Sequence, residues 1–121
     1  MRAEYRIRVI LDALRQVWEK LPNLTFGQFL YNVATDPALY YIEDGELLAS
    51  VIDYYGDKVE DNAIDAEAKK TFIEALISIW TAMPDLRLGQ LLCNIFRGNI
   101  LACISNSELI TVLKQYYSEV K

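Results

Sequence analysis

One pattern of residues occurs twice in this chain, and the second copy lies 62 positions after the first. The match runs without a gap from Arg8 in the first copy to Lys121 at the end of the second. Because rare residue types recur in one register, we interpret the chain as an internal duplication. The identical pairs include Trp18 and Trp80, Pro22 and Pro84, Leu24 and Leu86, Gly27 and Gly89, Gln28 and Gln90, Asn32 and Asn94, Leu39 and Leu101, Glu46 and Glu108, and Tyr54-Tyr55 and Tyr116-Tyr117.

Two copies are too few for a solenoid, which needs about three repeats or more. A compact pair related by a pseudo-two-fold axis is the natural alternative, like a homodimer fused into one chain. We predict an all-α fold of six helices, three in each copy, with one shared core, because a unit of about 50 residues buries little surface alone. The predicted single domain, 1–121, consists of repeat one (4–56), a polar linker (57–64) and repeat two (65–121).

Each copy is predicted to begin with an amphipathic helix that carries the Trp and ends at the shared Pro. A short second helix follows, and in copy one Thr25 and Gln28 fit a capping box. Copy two has Arg87 at the position of Thr25, so we expect Asp85 to cap its helix instead. The Gly beside each cap costs helix stability. We therefore expect the backbone to approach another helix closely there, near the Trp.

The third helix of each copy is predicted to begin at Asp44 or at Asn106, both good N-cap residues. The connectors before these helices, Thr35–Glu43 and Asn99–Ser105, are predicted to be non-helical, with a short extended piece. Pro37 and the apolar run that follows it argue against continuing the second helix through the first connector.

The composition indicates little catalytic chemistry. The chain has no His, so the commonest general base and imidazole metal ligands are excluded. Cys93 and Cys103 have no zinc-site spacing and are expected to be buried free thiols. We predict no enzyme activity, no cofactor and no metal site. The net charge of −5 opposes direct nucleic acid binding. With no signal peptide and no apolar run long enough for a membrane span, we expect a cytoplasmic protein.

Several polar and aromatic residues recur in both copies and are candidates for a site. Polar side chains within an otherwise apolar helix indicate either a hydrogen bond that fixes a neighbouring loop or a binding role. The Tyr pairs end the third helix, and we expect one ring of each pair to pack inward and the other to lie at the surface, where Tyr favours interfaces. The candidates are Gln28, Gln90, Asn32, Asn94, Tyr54 and Tyr117.

Two segments carry a family resemblance. They are Pro84-Asp85-Leu86-Arg87-Leu88-Gly89-Gln90-Leu91-Leu92, preceded by Trp80, and Tyr40-Tyr41-Ile42-Glu43-Asp44-Gly45-Glu46-Leu47-Leu48. Together they resemble a family of small uncharacterised bacterial and phage proteins that combine a Trp helix, Pro-Asp-Leu-Arg-x-Gly-Gln-Leu and Tyr-Ile-Glu-Asp-x-Glu-Leu. The resemblance covers nearly the whole chain, once per copy, and implies no activity.

Each copy keeps one charged half of that pattern. Copy one has Asn23 and Thr25 in place of the family's Asp and Arg, and copy two has Ser105 and Asn106 in place of its Glu and Asp. We therefore predict that Arg87 pairs across the pseudo-two-fold with Glu43 or Asp44, as a composite site whose symmetry mate has been lost.

These observations favour a non-enzymatic module that binds a protein partner. A bacterial or phage regulator or inhibitor that acts on a host protein is one concrete form, and the chain would be a monomer or a homodimer. The alternative is a small-molecule or metal-ion sensor that uses a cleft between the repeats. An enzyme that uses carboxylates alone is a third possibility.

Overall fold

The computed structural model describes residues 3–22 and 24–120, so Asn23 and the terminal residues, including Lys121, lie outside it. Across these described ranges the chain forms eight helices and no strand. The helices are α1 (Ala3–Trp18), α2 (Phe26–Tyr31), α3 (Ala38–Tyr41), α4 (Asp44–Tyr55), α5 (Ala66–Ala82), α6 (Leu88–Cys93), α7 (Ile100–Cys103) and α8 (Asn106–Val120). The predicted all-α class is confirmed.

The predicted number of six helices is wrong, because each connector contains a helix of four residues. These are α3 and α7, and in each the residue after the helix donates its N–H to the first helical carbonyl, from Ile42 to Ala38 and from Ile104 to Ile100. Pro37 stands at the N-cap position of α3, where a residue without an N–H donor is tolerated. Proline therefore precedes a helix here and does not prevent one.

The four long helices form the body of the molecule. α1 packs against both α4 and α5, and α5 packs against α8. The short helices make contacts between the repeats, since α3 packs against α6 and α7 packs against α2. Buried apolar side chains from both repeats belong to one core, to which every one of the eight helices contributes.

The two Trp side chains hold equivalent turns. Trp18 Nε1 donates to the carbonyl of Leu24 at 2.8 Å, and Trp80 Nε1 donates to the carbonyl of Leu86 at 2.7 Å. Both side chains are fully buried, so each indole N–H needs this acceptor. The bond fixes the turn between the first and second helices of each repeat.

The surroundings of the two Trp rings differ. Trp18 lies among Phe26, Phe29 and Phe72, with ring centroids 5.2 to 6.3 Å apart. At the positions equivalent to Phe26 and Phe29, repeat two has the buried aliphatic residues Leu88 and Leu91. At these two positions the core is therefore aromatic in repeat one and aliphatic in repeat two.

Candidate interaction surface

Two seams join the repeats, and each depends on a glycine. We call the contact of α3 with α6 the α3–α6 seam and the contact of α7 with α2 the α7–α2 seam. A Cβ atom on Gly89 would lie closer than 3.0 Å to the carbonyl oxygen of Leu39, and one on Gly27 would lie as close to that of Leu101. The predicted close approach therefore exists. Its partner is the short helix of the other repeat, not the helix that carries the Trp.

The side chains of Asp44 and Asn106 cap helices across the seams. Asp44 Oδ1 accepts the N–H of Leu88 at 2.8 Å, and Asn106 Oδ1 accepts the N–H of Phe26 at 2.8 Å. Each side chain thus satisfies a free N–H at the start of the other repeat's second helix. The expectation that they cap their own helices is wrong.

Different residues stand at the N-cap positions for which we expected Asp44, Asn106 and Asp85. Glu43 stands before α4 without a side-chain cap hydrogen bond, whereas Ser105 accepts the N–H of Glu108 before α8. The expected cap by Asp85 is wrong as well, because that side chain is exposed and Asp44 takes the N–H of Leu88.

The predicted ion pair of Arg87 is also wrong. Asp44 Oδ2 accepts from the Arg6 guanidinium at 2.8 Å, and Arg6 also donates to the carbonyl of Pro84 at 2.9 Å. Arg87 donates to the carbonyl of Tyr40 at 3.0 Å, and its guanidinium carbon lies 6.0 Å from the Tyr40 ring centroid. Among the described residues, neither Asp44 nor the exposed Glu43 forms an ion pair with Arg87. A carboxylate and an arginine do meet between the repeats, but the arginine comes from α1.

Burial dominates the electrostatics of Asp44, which is 8% exposed. Its pKa is raised by desolvation, and the Leu88 N–H and the Arg6 guanidinium oppose that rise. The carboxylate therefore already has its hydrogen-bond donors inside the protein. Asp44 holds the seam together and does not face a partner.

The recurring Gln and Asn residues support the buried Tyr of each pair. In repeat one, Gln28 donates to Asn32, which donates to the Tyr55 hydroxyl, and that hydroxyl donates to the carbonyl of Phe29 at 2.7 Å. In repeat two, Asn94 donates to the Tyr117 hydroxyl, which donates to the carbonyl of Leu91. These bonds tie α2 to α4 and α6 to α8, so they join two helices and do not fix a neighbouring loop as the structural interpretation predicted.

As predicted, one ring of each Tyr pair lies at the surface and the other is buried. In the first pair Tyr54 is 42% exposed, and in the second pair Tyr117 is 4% exposed. Burial raises the pKa of the Tyr55 and Tyr117 phenols. Tyr117 is therefore wrong as an interaction candidate, whereas the adjacent Tyr116 is as exposed as Tyr54.

A surface of aromatic and basic side chains lies on the outside of the α3–α6 seam. Gln90 is the counterpart of Gln28 of repeat one, but it donates to the Tyr40 hydroxyl at 3.3 Å. Tyr41 is 70% exposed, and Arg97 is exposed beside it. Asp36, Pro37, Tyr40, Tyr41 and Arg97 surround a depression of about 220 Å³. We call these five residues and Arg87 the seam surface.

The equivalent surface of the α7–α2 seam lacks these groups. The positions of Tyr40 and Tyr41 are taken by Ala102 and Cys103, and Arg87 and Arg97 correspond to Thr25 and Thr35. Cys103 is exposed, so the expectation that both thiols are buried holds for Cys93 alone. The Tyr and Arg side chains thus occur at only one of two matched places.

Sequence reasoning missed two cations that cross between the repeats. Lys69 is 6% exposed, and its Nζ donates to the carbonyls of Trp18 and Leu21 at 2.9 Å each. Burial lowers the pKa of this amine. The Arg6 guanidinium carbon lies 5.5 Å from the Trp80 ring centroid, and Lys69 Nζ lies 5.3 Å from that of Trp18. The signal in the sequence is that Lys69 takes the register position of Ile7 on an apolar helix face.

The remaining findings concern sites of other kinds. No cluster of three or more acidic or sulfur ligands suited to a metal ion occurs in the part of the chain that the structure describes. In the same ranges, no helix combines the length and the apolar character that a membrane crossing requires. No protein-family model, curated protein or solved structure matches this chain.

Proposed function

We propose that the chain is a non-enzymatic protein-interaction module whose seam surface binds a partner. The observation that carries this proposal is the exposure of Tyr41 and Arg97 at positions where the other seam has Cys103 and Thr35. Both seams hold the repeats together, and the α7–α2 seam does so with Cys103 and Thr35 at the positions of Tyr41 and Arg97. Tyr and Arg are enriched among the residues that dominate binding energy at protein interfaces.

Charge favours a partner with an acidic side chain at this point. The chain has a net charge of −5, yet the seam surface contains Arg87 and Arg97 beside the single carboxylate of Asp36. Arg87 uses one of its nitrogen atoms for the Tyr40 carbonyl. A carboxylate from a partner would find further guanidinium donors here, in the planar geometry that suits it.

The size of the depression favours a protein over a small molecule. Ligand pockets in proteins usually measure about 300 to 1,000 Å³. The depression at the seam surface, at about 220 Å³, is smaller and can accept a single side chain. A small-molecule sensor stays the alternative, and a thermal-shift screen separates the two, since a bound ligand at 100 times its Kd adds about 2.7 kcal/mol.

We infer that the repeats are related by a pseudo-two-fold axis and form one cooperative domain, because the contacts across the seams are reciprocal. Gly27 and Gly89 are matched, and so are the caps by Asp44 and Asn106. A bacterial or phage regulator that acts on a host protein in the cytoplasm is the form that the family resemblance suggests.

The test compares the two seams as baits. The wild-type chain, a Tyr41→Ala/Arg97→Thr variant and a Thr35→Ala/Cys103→Ala control are immobilised and exposed to bacterial lysate. We expect wild type and control to capture the same protein, and the seam-surface variant to bind it at least about tenfold more weakly in titration calorimetry. Circular dichroism and melting temperature should be the same for all three. Equal capture by all three, or no stable partner at micromolar bait, would contradict the proposal.

A further inference from the structure

Two grooves lie at matched places in the repeats. We call them the α1–α4 groove and the α5–α8 groove, after the helices that form their walls. The α5–α8 groove measures about 260 Å³, and each residue that lines it has its counterpart, 62 positions earlier, in the lining of the α1–α4 groove. The lining residues of the α5–α8 groove are Ser78, Ile79, Ala82, Lys114, Tyr117 and Ser118. The same surface therefore occurs twice in the molecule.

In repeat one, the linker lies on this surface. Val59 of the linker is part of the wall of the α1–α4 groove. The N–H of Glu60 donates to the carbonyl of Lys20 at 2.7 Å, and the N–H of Ile64 donates to that of Glu19 at 2.6 Å. The linker contains no helix. The molecule thus shows what this surface binds, which is a non-helical segment that provides one apolar side chain and two backbone N–H groups.

In repeat two, the matched carbonyls lack these donors. Among the residues that the structure describes, no backbone N–H donates to the carbonyls of Thr81 and Ala82, which correspond to the two that the linker uses. The floor of the groove is still apolar, because Ile79 and Tyr117 are both buried. One wall is lower than in repeat one, since Ala82 takes the place of the longer Lys20. The end of α5 therefore has room and free acceptors for a segment like the linker.

Charge indicates which kind of segment fits. The linker has three carboxylates and one ammonium group, and Lys20 lies on the wall of the groove beside it. In repeat two the lysine is on the other wall, where Lys114 is exposed at the position of Ile52. Each groove thus has one lysine, which favours an acidic segment in both. The α5–α8 groove is also smaller than most small-molecule pockets, which measure about 300 to 1,000 Å³.

We propose that the α5–α8 groove binds a non-helical, acidic segment of a partner protein in the way that the α1–α4 groove binds the linker. The segment places an apolar side chain in the groove, as Val59 does in repeat one. The next residue is acidic, and its N–H donates to the carbonyl of Ala82. A second N–H of the segment donates to the carbonyl of Thr81, and Lys114 supplies the opposite charge. The groove shares no residue with the seam surface, so it is a second binding surface.

The experiment uses the linker sequence itself as the probe. A peptide with the sequence of residues 57–64, blocked at both ends, is titrated to about 10 mM into the isotope-labelled full chain and followed by NMR. We expect a Kd of about 1 mM, because a short free peptide gains only two backbone hydrogen bonds and one apolar contact. The covalent linker already occupies the α1–α4 groove. The peptide should therefore shift the amide resonances of Ala82 and Lys114 and leave those of Lys20 and Ile52 unchanged.

Variants of the chain and of the peptide test each contact. Lys114→Glu should weaken binding by about threefold to tenfold, because it reverses the charge that faces the segment. The matched control is Lys70→Glu, which makes the same change at an exposed lysine of α5 outside the groove and should stay within about twofold of wild type. In the peptide, Val59→Asp should weaken binding at least about tenfold, and methylation of the Glu60 backbone nitrogen about fivefold.

Three results would overturn the proposal. They are the absence of resonance shifts at about 10 mM peptide, shifts that lie outside the α5–α8 groove, and equal binding of the peptide and its methylated form. Equal binding by Lys114→Glu and wild type would remove the preference for an acidic segment and overturn it as stated. The seam-surface variant Tyr41→Ala/Arg97→Thr should bind the peptide like wild type, so the two proposals fail independently.

Discussion

The two seams can be compared contact by contact, because each residue in one has a counterpart 62 positions away in the other. Near the backbone they match. Gly89 meets Leu39 as Gly27 meets Leu101, and a side chain of the other repeat caps each second helix. At the surface they differ, since the α3–α6 seam alone has the two Tyr and two Arg side chains of the seam surface.

This difference distinguishes the positions that the packing of the seams fixes from the positions at which the two repeats can carry different side chains. A glycine that touches a carbonyl cannot be replaced without moving a helix, so both copies keep it. A cap needs only an oxygen acceptor, so Asp44 and Asn106 serve equally well. The outer positions have no such requirement, and there the two repeats have become unlike. What differs between otherwise matched places is therefore the best guide to function in this molecule.

The largest expected effect concerns the two glycines, which are matched in the two seams. Gly89→Ala should destabilise the fold by about 3 to 4 kcal/mol, because the new Cβ would overlap a backbone carbonyl that cannot rotate away. Gly27→Ala should cost a similar amount. Urea denaturation of both variants measures this. A loss below about 1 kcal/mol at either position would show that its seam can open without penalty.

The second prediction concerns pH and distinguishes α6 from α2. Burial raises the pKa of the Cys93 thiol to about 11 from 9.0, with Asp36 adding to the rise and Arg97 opposing it. The unfolded chain loses this proton first, so stability should fall by about 2 kcal/mol as pH rises from 9 to 11. In Cys93→Ala this alkaline loss should shrink, although the buried tyrosines retain a part.

The position equivalent to Cys93 is Tyr31, which is only partly buried. Tyr31→Phe changes this matched position without removing a thiol and serves as the control variant. Urea midpoints at pH 8, 9, 10 and 11 provide the measurement. Identical pH profiles for wild type and Cys93→Ala would contradict the assignment of this loss to α6.

The smallest effect compares the two caps. Asp44→Ala should cost about 2 kcal/mol, since it removes both the acceptor for the Leu88 N–H and the partner of Arg6. Asn106→Ala removes an acceptor alone and should cost about 1 kcal/mol. Asp44→Asn keeps the oxygen acceptor for the Leu88 N–H and removes a negative charge that burial disfavours. That variant should lie within about 1 kcal/mol of wild type, and a larger loss would show that the ion pair dominates.

Much of the fold could be predicted from the sequence, because repetition doubles every signal. The register, the all-α class and the division of each Tyr pair follow from patterns that occur twice. The shared glycines even indicated a close approach between helices. These features depend on local periodicity and on residue size, which a single sequence displays directly.

The contacts between repeats could not be predicted, because they depend on where side chains point after folding. Asp44 looks like a local cap in the sequence, yet its carboxylate reaches the other repeat. Arg6 lies outside the motif that suggested a cross-repeat ion pair, and α1 carries it to Asp44. The helices α3 and α7 have only four residues each, too few for a periodic signal. The seam surface was missed for this reason, although Arg87 was among the candidates.

The differences between the seams have a genetic consequence. In a symmetric homodimer of a single unit, every mutation appears twice, and a change that helps one seam alters the other as well. Joining two units through the segment that follows α4 removes this restriction. Tyr41 can then arise without a second exposed Tyr at position 103, and one seam can specialise while the other keeps the protein assembled.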